Sequence, residues 1–269
     1  MTYIRLDTLD LALGALLVLV NGGLSMALGL GLERRLAIAA VRMVVQLTLV
    51  GLVLTTLFAL VSPLWTAVTA LAMILFAGHE ILSRQDRRLA GWWAYGLGTG
   101  AMLVASTLVT LFALTTQLSP SPWYDPRYAI PLLGMVLGNT MTGISLGLQT
   151  LTTAVVRERA AVEARLALGA NRWQALGPAV RLALRNAFMP IINMMAATGV
   201  VSLPGMMTGQ ILSGVAPVEA VKYQILILFL VSGGTGLGAM TAVFACAHRL
   251  TDHRHRLRLD RLMAIGRTG

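Results

Sequence analysis

The chain has 269 residues, 57% of them hydrophobic and 12% charged, at a mean hydropathy of +0.76. A soluble domain of this length carries about 25% charged residues, so the composition excludes an ordinary globular fold and reads as an all-α integral membrane protein. A single cysteine, Cys246, excludes an intramolecular disulfide or a Cys-rich metal site, and the net charge of +10 points either to nucleic acid or to a charge bias across a membrane.

Seven stretches are long and apolar enough to cross a hydrocarbon core of about 30 Å as helix: 11–32, 38–61, 64–82, 93–117, 128–153, 187–212 and 218–247. The start does not read as a cleaved signal peptide, because its apolar run is too long and MTYIRLDTLD sets one Arg against two Asp. The second and third spans nearly touch at Ser62-Pro63, where a proline and Trp65 suit a tight interfacial turn. His79 and Glu80 end the third span; an imidazole beside a carboxylate is either a metal entry point or a structural pair. SPSPWYDPRY, before the fifth span, carries prolines for a rigid turn and aromatic residues for an interfacial belt.

The fifth span sets Gly134 and Gly138 on one face and Gly143 and Gly147 on nearly the opposite face, which predicts a central helix packed on both sides. Asn139 lies in the same span and reads either as an interhelical hydrogen bond or as a pathway group. In the sixth span Met195, Gly199, Ser202, Met206, Gly209 and Ser213 recur on one face, with Met207 and Gln210 beside them, and Pro204-Gly205 interrupts the helix. A broken helix frees carbonyls that are tolerated in a membrane only when buried or lining a cavity. Carbonyls, thioethers and hydroxyls can pass a soft or borderline metal; the alternative is a Met-rich packing seam. Glu219, at the start of the seventh span, either pairs with Lys222 or helps release a cation. Asn139, Met195, Ser202, Met206, Met207, Gln210 and Glu219 are thus the candidate pathway residues, with His79 and Glu80 the metal candidates.

Sorted by connection, 18 basic residues fall on one side of seven alternating spans and only Arg5, Arg127 and Lys222 on the other. The positive-inside rule then places the N-terminus outside and the C-terminus in the cytoplasm. The charge is topological, and nucleic acid is not expected as a partner. His248, His253 and His255 lie among six Arg in the tail, where head-group contact is expected.

Residues 157–185 form the one long polar segment between apolar spans, with six Arg and two Glu. Arg157 to Leu168 is rich in helix formers, Gly169 sits where a C-terminal glycine belongs, and Asn171 is a good N-cap. Pro178 is expected to bend or end the second helix. The product is a helix, a sharp turn and a second helix at the membrane surface, which either touches head groups or docks a partner. A P-loop needs a lysine closing a Gly-rich run. The only lysine, Lys222, stands in VEAVKYQ, so no Walker A site exists and any ATP must be hydrolysed by another chain.

EARLALGA at 163–170 resembles the cytoplasmic motif of ATP-binding-cassette (ABC) transporter permeases, Glu-Ala-Ala, three residues, then Gly. Glu163, Ala164 and Gly169 match it, and Arg165 stands at the third alanine. The Ile-x-Leu-Pro that follows the motif in standard importers is absent at its expected distance. LPGMMTGQILSGVAP at 203–217, AVKYQI at 220–225 and Arg42-x-x-x-Gln46-Leu47 are similar to the UPF0014 family, the Fet-type iron-export permeases of bacteria, which are related to plant membrane subunits tied to aluminium tolerance.

That resemblance implies a multi-pass permease of the bacterial inner membrane that dimerises and exports iron or another metal ion. It binds no cofactor itself and couples to two cytoplasmic ABC ATPase subunits that hold ATP and Mg. Residues 1–250 would be the transmembrane domain and 251–269 a basic cytoplasmic tail. The 157–185 loop would be the coupling element, with Glu163, Ala164, Leu168, Gly169 and Ala170 at the ATPase. A stand-alone secondary transporter or channel for a small ion is the alternative.

Overall fold

The computed structural model describes residues 7–264; Arg5 and Arg267, used in the charge sorting, lie outside them. The chain divides into two units, one ending at Leu60 and the other beginning at Val61. The first holds α1 (Thr8–Ala27) and α2 (Glu33–Leu60). The expected first span runs to residue 32, but the helix stops at Ala27. Gly29 and Gly31 take φ of +62° and +65°, a conformation that favours glycine. The buried Ser25 hydroxyl closes the turn, accepting from the Leu32 N–H at 2.9 Å and donating to Glu33 Oε2 at 3.0 Å.

The second unit contains α3 (Pro63–Ser83), β1 (Arg87–Leu89), α4 (Trp93–Phe112), α5 (Pro126–Arg157), α6 (Arg159–Ala167), α7 (Arg172–Ala197), α8 (Gly205–Leu212), α9 (Pro217–Arg249) and β2 (Leu262–Ala264). A π-helical turn at Ala113–Leu118 extends α4. Proline opens α3, α5 and α9, where its missing N–H removes a donor that would have no helical partner. α5 is central, packed against α3, α4, α7 and α9. The two-sided expectation holds on the α9 side through Gly143 and Gly147; on the other face Gly134 meets Met73 of α3, whereas Gly138 faces open space. Two apolar clusters fill the unit, one around Ile144, Leu151, Leu176 and Val243 and the other around Val136, Ile191, Ile227 and Val231.

Among the described residues six helices are long and apolar enough to cross a membrane: α1, α2, α3, α4 with its π-helical turn, α5 and α9. That is one fewer than the seven expected, and the discrepancy sits in the sixth. No helix spans 187–212. α7 starts at Arg172, fifteen residues earlier than that span, and ends at Ala197; residues 198–204 break the chain before the short α8. Gly199 at φ +92°, just past the C-cap Thr198, turns the chain out of the helix, and Pro204 caps the start of α8, whereas Pro178 and Pro190 lie inside α7 and do not stop it. Pro178 therefore does not end the second helix of the basic segment, and that helix is no separate surface element. It is the first part of α7, whose Ala183 and Ala187 pack beside Gly147 and Gly143 of α5. Arg172, Arg181 and Arg185 in this half of α7 keep it from reading as apolar.

The basic connections of the second unit gather at one end. β1 pairs antiparallel with β2, Arg87 opposite Ala264. Asp86 bonds Gln149 of α5 at 2.6 Å, and the Arg249 guanidinium lies 4.6 Å from the centre of the Trp93 ring.

Candidate functional site

At this basic end α6 and α7 meet in a closed turn. Gly169 takes φ +89°; its N–H bonds the Leu166 carbonyl at 3.1 Å and that of Ala170 the Arg165 carbonyl at 3.0 Å. This is the paired pattern by which a left-handed residue satisfies the last carbonyls of a helix. Asn171 then caps α7, its Oδ1 accepting from the Trp173 and Gln174 N–H groups at 3.0 Å, while Gln174 Oε1 accepts from the Asn171 N–H at 2.9 Å. The glycine terminator and asparagine cap read from the sequence are both present. No heavy atom lies within 4 Å of a Cβ built on Gly169, so a substitution there is opposed by backbone conformation alone.

The turn is held from three directions. Val162 of α6 is buried in the first apolar cluster, Arg165 Nη1 donates to the Ala175 carbonyl at 3.2 Å, and Trp173 packs edge-on to Phe244 of α9. Outward, Glu163 pairs with Arg159 at 2.8 Å, Ala164 is exposed, Ala170 is half-buried, and Leu168 stands 88% exposed at the tip. A leucine this exposed beside a turn this well closed is an apolar knob on a rigid mount.

Beyond α9 the chain returns as a strap, which the sequence did not signal. Arg172 donates from Nε to His255 Nδ1 at 3.2 Å and from Nη2 to the Asp252 carbonyl at 3.0 Å, and its Nη1 lies 2.8 Å from His248 Nδ1. His248 and His255 therefore grip the start of α7, where head-group contact was expected. Asp252 holds the strap's own turn through the Arg254 and Arg256 N–H groups and the Arg256 guanidinium. Burial works against the charge of this carboxylate, but those donors outweigh it and hold its pKa down at about 2. Arg261 Nη1 bonds the Arg249 carbonyl at 2.7 Å.

The pathway candidates do not converge on one site. The Asn139 amide donates to the Met135 carbonyl of its own helix at 2.9 Å. Met195 and Met206 pack against the second apolar cluster, Met207 is half-buried, and Ser202 is exposed in the break. Gln210 is half-buried and its Oε1 has no protein partner. Glu219 pairs with Lys222 at 2.7 Å. Val200, 91% exposed, shows how open the 198–204 break is on this chain. His79 is exposed and Glu80 pairs with Arg84 at 3.5 Å, and no group of three or more His, Cys, Asp or Glu residues is placed to hold a metal among the described residues.

A family model described as "Uncharacterised protein family (UPF0014)" matches residues 8–251. A UPF0014 membrane protein of Synechocystis sp. is 37% identical over 85% of this chain and 87% of its own length. The probable iron export permease protein FetB of Escherichia coli is 31% identical over 94% of this chain and 95% of its own. Protein ALUMINUM SENSITIVE 3 of Arabidopsis thaliana is 32% identical over 87% of this chain and 84% of its own. No solved structure matches the chain.

Proposed function

The chain belongs to the UPF0014 family of membrane proteins, and from that premise we propose that it is the membrane-spanning permease subunit of an ABC exporter of iron or another metal ion. It works in the bacterial inner membrane as a homodimer, and a separate ATPase docks on the α6–α7 turn. The observation that carries this reading is Leu168: a fully presented apolar side chain, next to a glycine-locked turn, on the basic end that the positive-inside rule assigns to the cytoplasm. Residues 163–170 resemble the ABC permease coupling motif, and a relative over nearly the full length is named as a probable iron export permease.

The mechanics follow from stiffness. Nucleotide-driven movement of an ATPase groove reaches the membrane only through an element that does not bend under it. Both helix ends at Gly169 and Asn171 are closed by hydrogen bonds, Arg165 ties α6 to α7, and the strap grips Arg172. A push on Leu168 is therefore delivered to the whole of α7, which packs on α5 and α9.

The test is co-expression of the chain with the ABC ATPases of its own genome, followed by purification through the permease. The wild type is expected to carry an ATPase with it. Gly169→Pro and Glu163→Arg are expected to insert normally and to lose both that ATPase and transport. Wild-type behaviour of both variants in both assays would remove the coupling role.

A further inference from the structure

α5 and α9 run parallel and lock together through reciprocal notches. Thr140 of α5 enters the notch between Gly234 and Gly238 of α9: a Cβ built on Gly238 would lie 2.5 Å from Thr140 Cγ2, and one on Gly234 3.3 Å from Thr140 Oγ1. In return Thr235 of α9 fills the notch at Gly143 of α5, with a built Cβ 2.7 Å from its Cγ2. Ala187 of α7 and Ala105 of α4 close the sides. Thr140 is 0% exposed and Thr235 2%, and both lie near the middle of helices of 32 and 33 residues.

Neither hydroxyl has a hydrogen-bond partner in the protein. Most helical threonines and serines of the chain do otherwise, although Thr110 of α4 and Ser145 of α5 are also buried without a partner. A helical threonine or serine has an acceptor at hand in the carbonyl four residues back. Thr99, Ser106, Thr142 and Thr152 all use theirs, at 2.7 to 3.0 Å. In the seam Thr140 instead aims its hydroxyl at the bare face of Gly234. Valine has the same shape and would fill either notch without stranding a polar group. Gln224 continues the pattern. It lies eleven residues before Thr235, hence on the same face of α9, is 6% exposed, and its Oε1 also lacks a partner.

We propose that the α5–α9 seam is the translocation seam, shown closed, and that Thr140 and Thr235 offer their hydroxyl oxygens to the cargo when it parts. Stranded polar groups at membrane depth mark sites whose partner arrives with function. Oxygen ligands of this kind suit a hard or borderline cation that has shed part of its water. Glycine notches keep the two backbones close while the seam is shut, so a small separation opens it along its length. The inference rests on the permease reading and adds the place where the cargo passes.

The test is ATP-driven uptake of Fe²⁺ into inverted membrane vesicles carrying the chain and its ATPase, with melting in detergent measured alongside. Thr140→Val and Thr235→Val are expected to melt at or above the wild-type temperature yet to transport about tenfold or more slowly. Thr140→Ser and Thr235→Ser, which keep the hydroxyl and lose the methyl, are expected to melt lower and to transport nearly as the wild type does. A packing role gives the opposite order, and Val variants that transport like the wild type would overturn the seam while leaving the permease intact. No ATP-driven uptake by the wild type of Fe²⁺, nor of Mn²⁺, Co²⁺, Ni²⁺ or Zn²⁺ offered in its place, would overturn the permease reading, and this inference with it.

Discussion

The α6–α7 turn and the α5–α9 seam treat polar groups in opposite ways. At the turn the helix ends are capped, Arg165 and Arg172 are spoken for, and the exposed carboxylate of Glu163 is paired. In the seam two fully enclosed hydroxyls have no protein partner although an acceptor lies one helical turn away. Water would have forgiven vacancies at the turn and cannot reach the seam, so the chain is strict where strictness matters least for stability. The difference follows if the turn must be stiff and the seam must open. A coupling element works by having one conformation, and a passage works by having two.

The largest effect that can break this contrast is steric. Gly238→Val places branched carbon where 2.5 Å separates a built Cβ from Thr140 Cγ2, and overpacking of this kind costs about 3 kcal/mol. Its melting temperature is expected to fall sharply, whereas Gly138→Ala, with nothing within 4 Å, is expected to melt as the wild type does. Equal melting of the two would mean that the seam is loosely packed. The turn is expected to behave otherwise. Leu168→Asp leaves melting unchanged but weakens ATPase capture by about 2 kcal/mol, the scale of an interface anchor. Unchanged capture would show that the knob is not the contact.

Smaller effects sharpen the picture of the mount. Arg172→Met removes the guanidinium between His255 and the Asp252 carbonyl, and faster amide exchange in residues 251–258 is expected, equivalent to about 1 kcal/mol. Exchange unaffected by the change would detach the strap from the turn. The smallest effect near neutrality comes from Asp252. Its pKa is held at about 2, below its ordinary 3.8, so its contribution is fully present above the ordinary value and is lost as the pH falls from there towards 2. Strap protection should be flat from neutral pH down to the ordinary carboxylate range and then decline, and Asp252→Asn should remove that decline. Loss of protection already near pH 6 would place the control elsewhere.

What was legible in the sequence was local. Gly169 and Asn171 announce a turn because each has a conformational or hydrogen-bonding property that few other residues share. Gly143 and Gly147 announce close packing for a similar reason. The helix beginning after Asn171 was legible, but its continuity into the sixth span was hidden, because Arg181 and Arg185 lie inside α7 and only its later part looks apolar, so the span was begun fifteen residues after the helix. The strap was hidden because its partners are 76 to 83 residues away in the chain, and nothing in HRLTDHRHR distinguishes a histidine that faces lipid from one that grips Arg172. Thr140 and Thr235 were passed over because threonine is unremarkable in a membrane helix until its hydroxyl is found without an acceptor. The methionines of 195–207 drew attention by type, yet Met195 and Met206 pack on an apolar cluster.

The central claim is that this chain moves a metal ion only when a docked ATPase drives it through the α6–α7 turn. Fe²⁺ uptake into inverted vesicles tests it directly, with the chain alone, with its ATPase, and with the ATPase but no ATP. The account predicts uptake only with chain, ATPase and ATP together, and none in the same vesicles when Leu168→Asp replaces the wild type. Equal Fe²⁺ flux through the chain alone, without ATP, would contradict it and would make the protein a stand-alone transporter or channel.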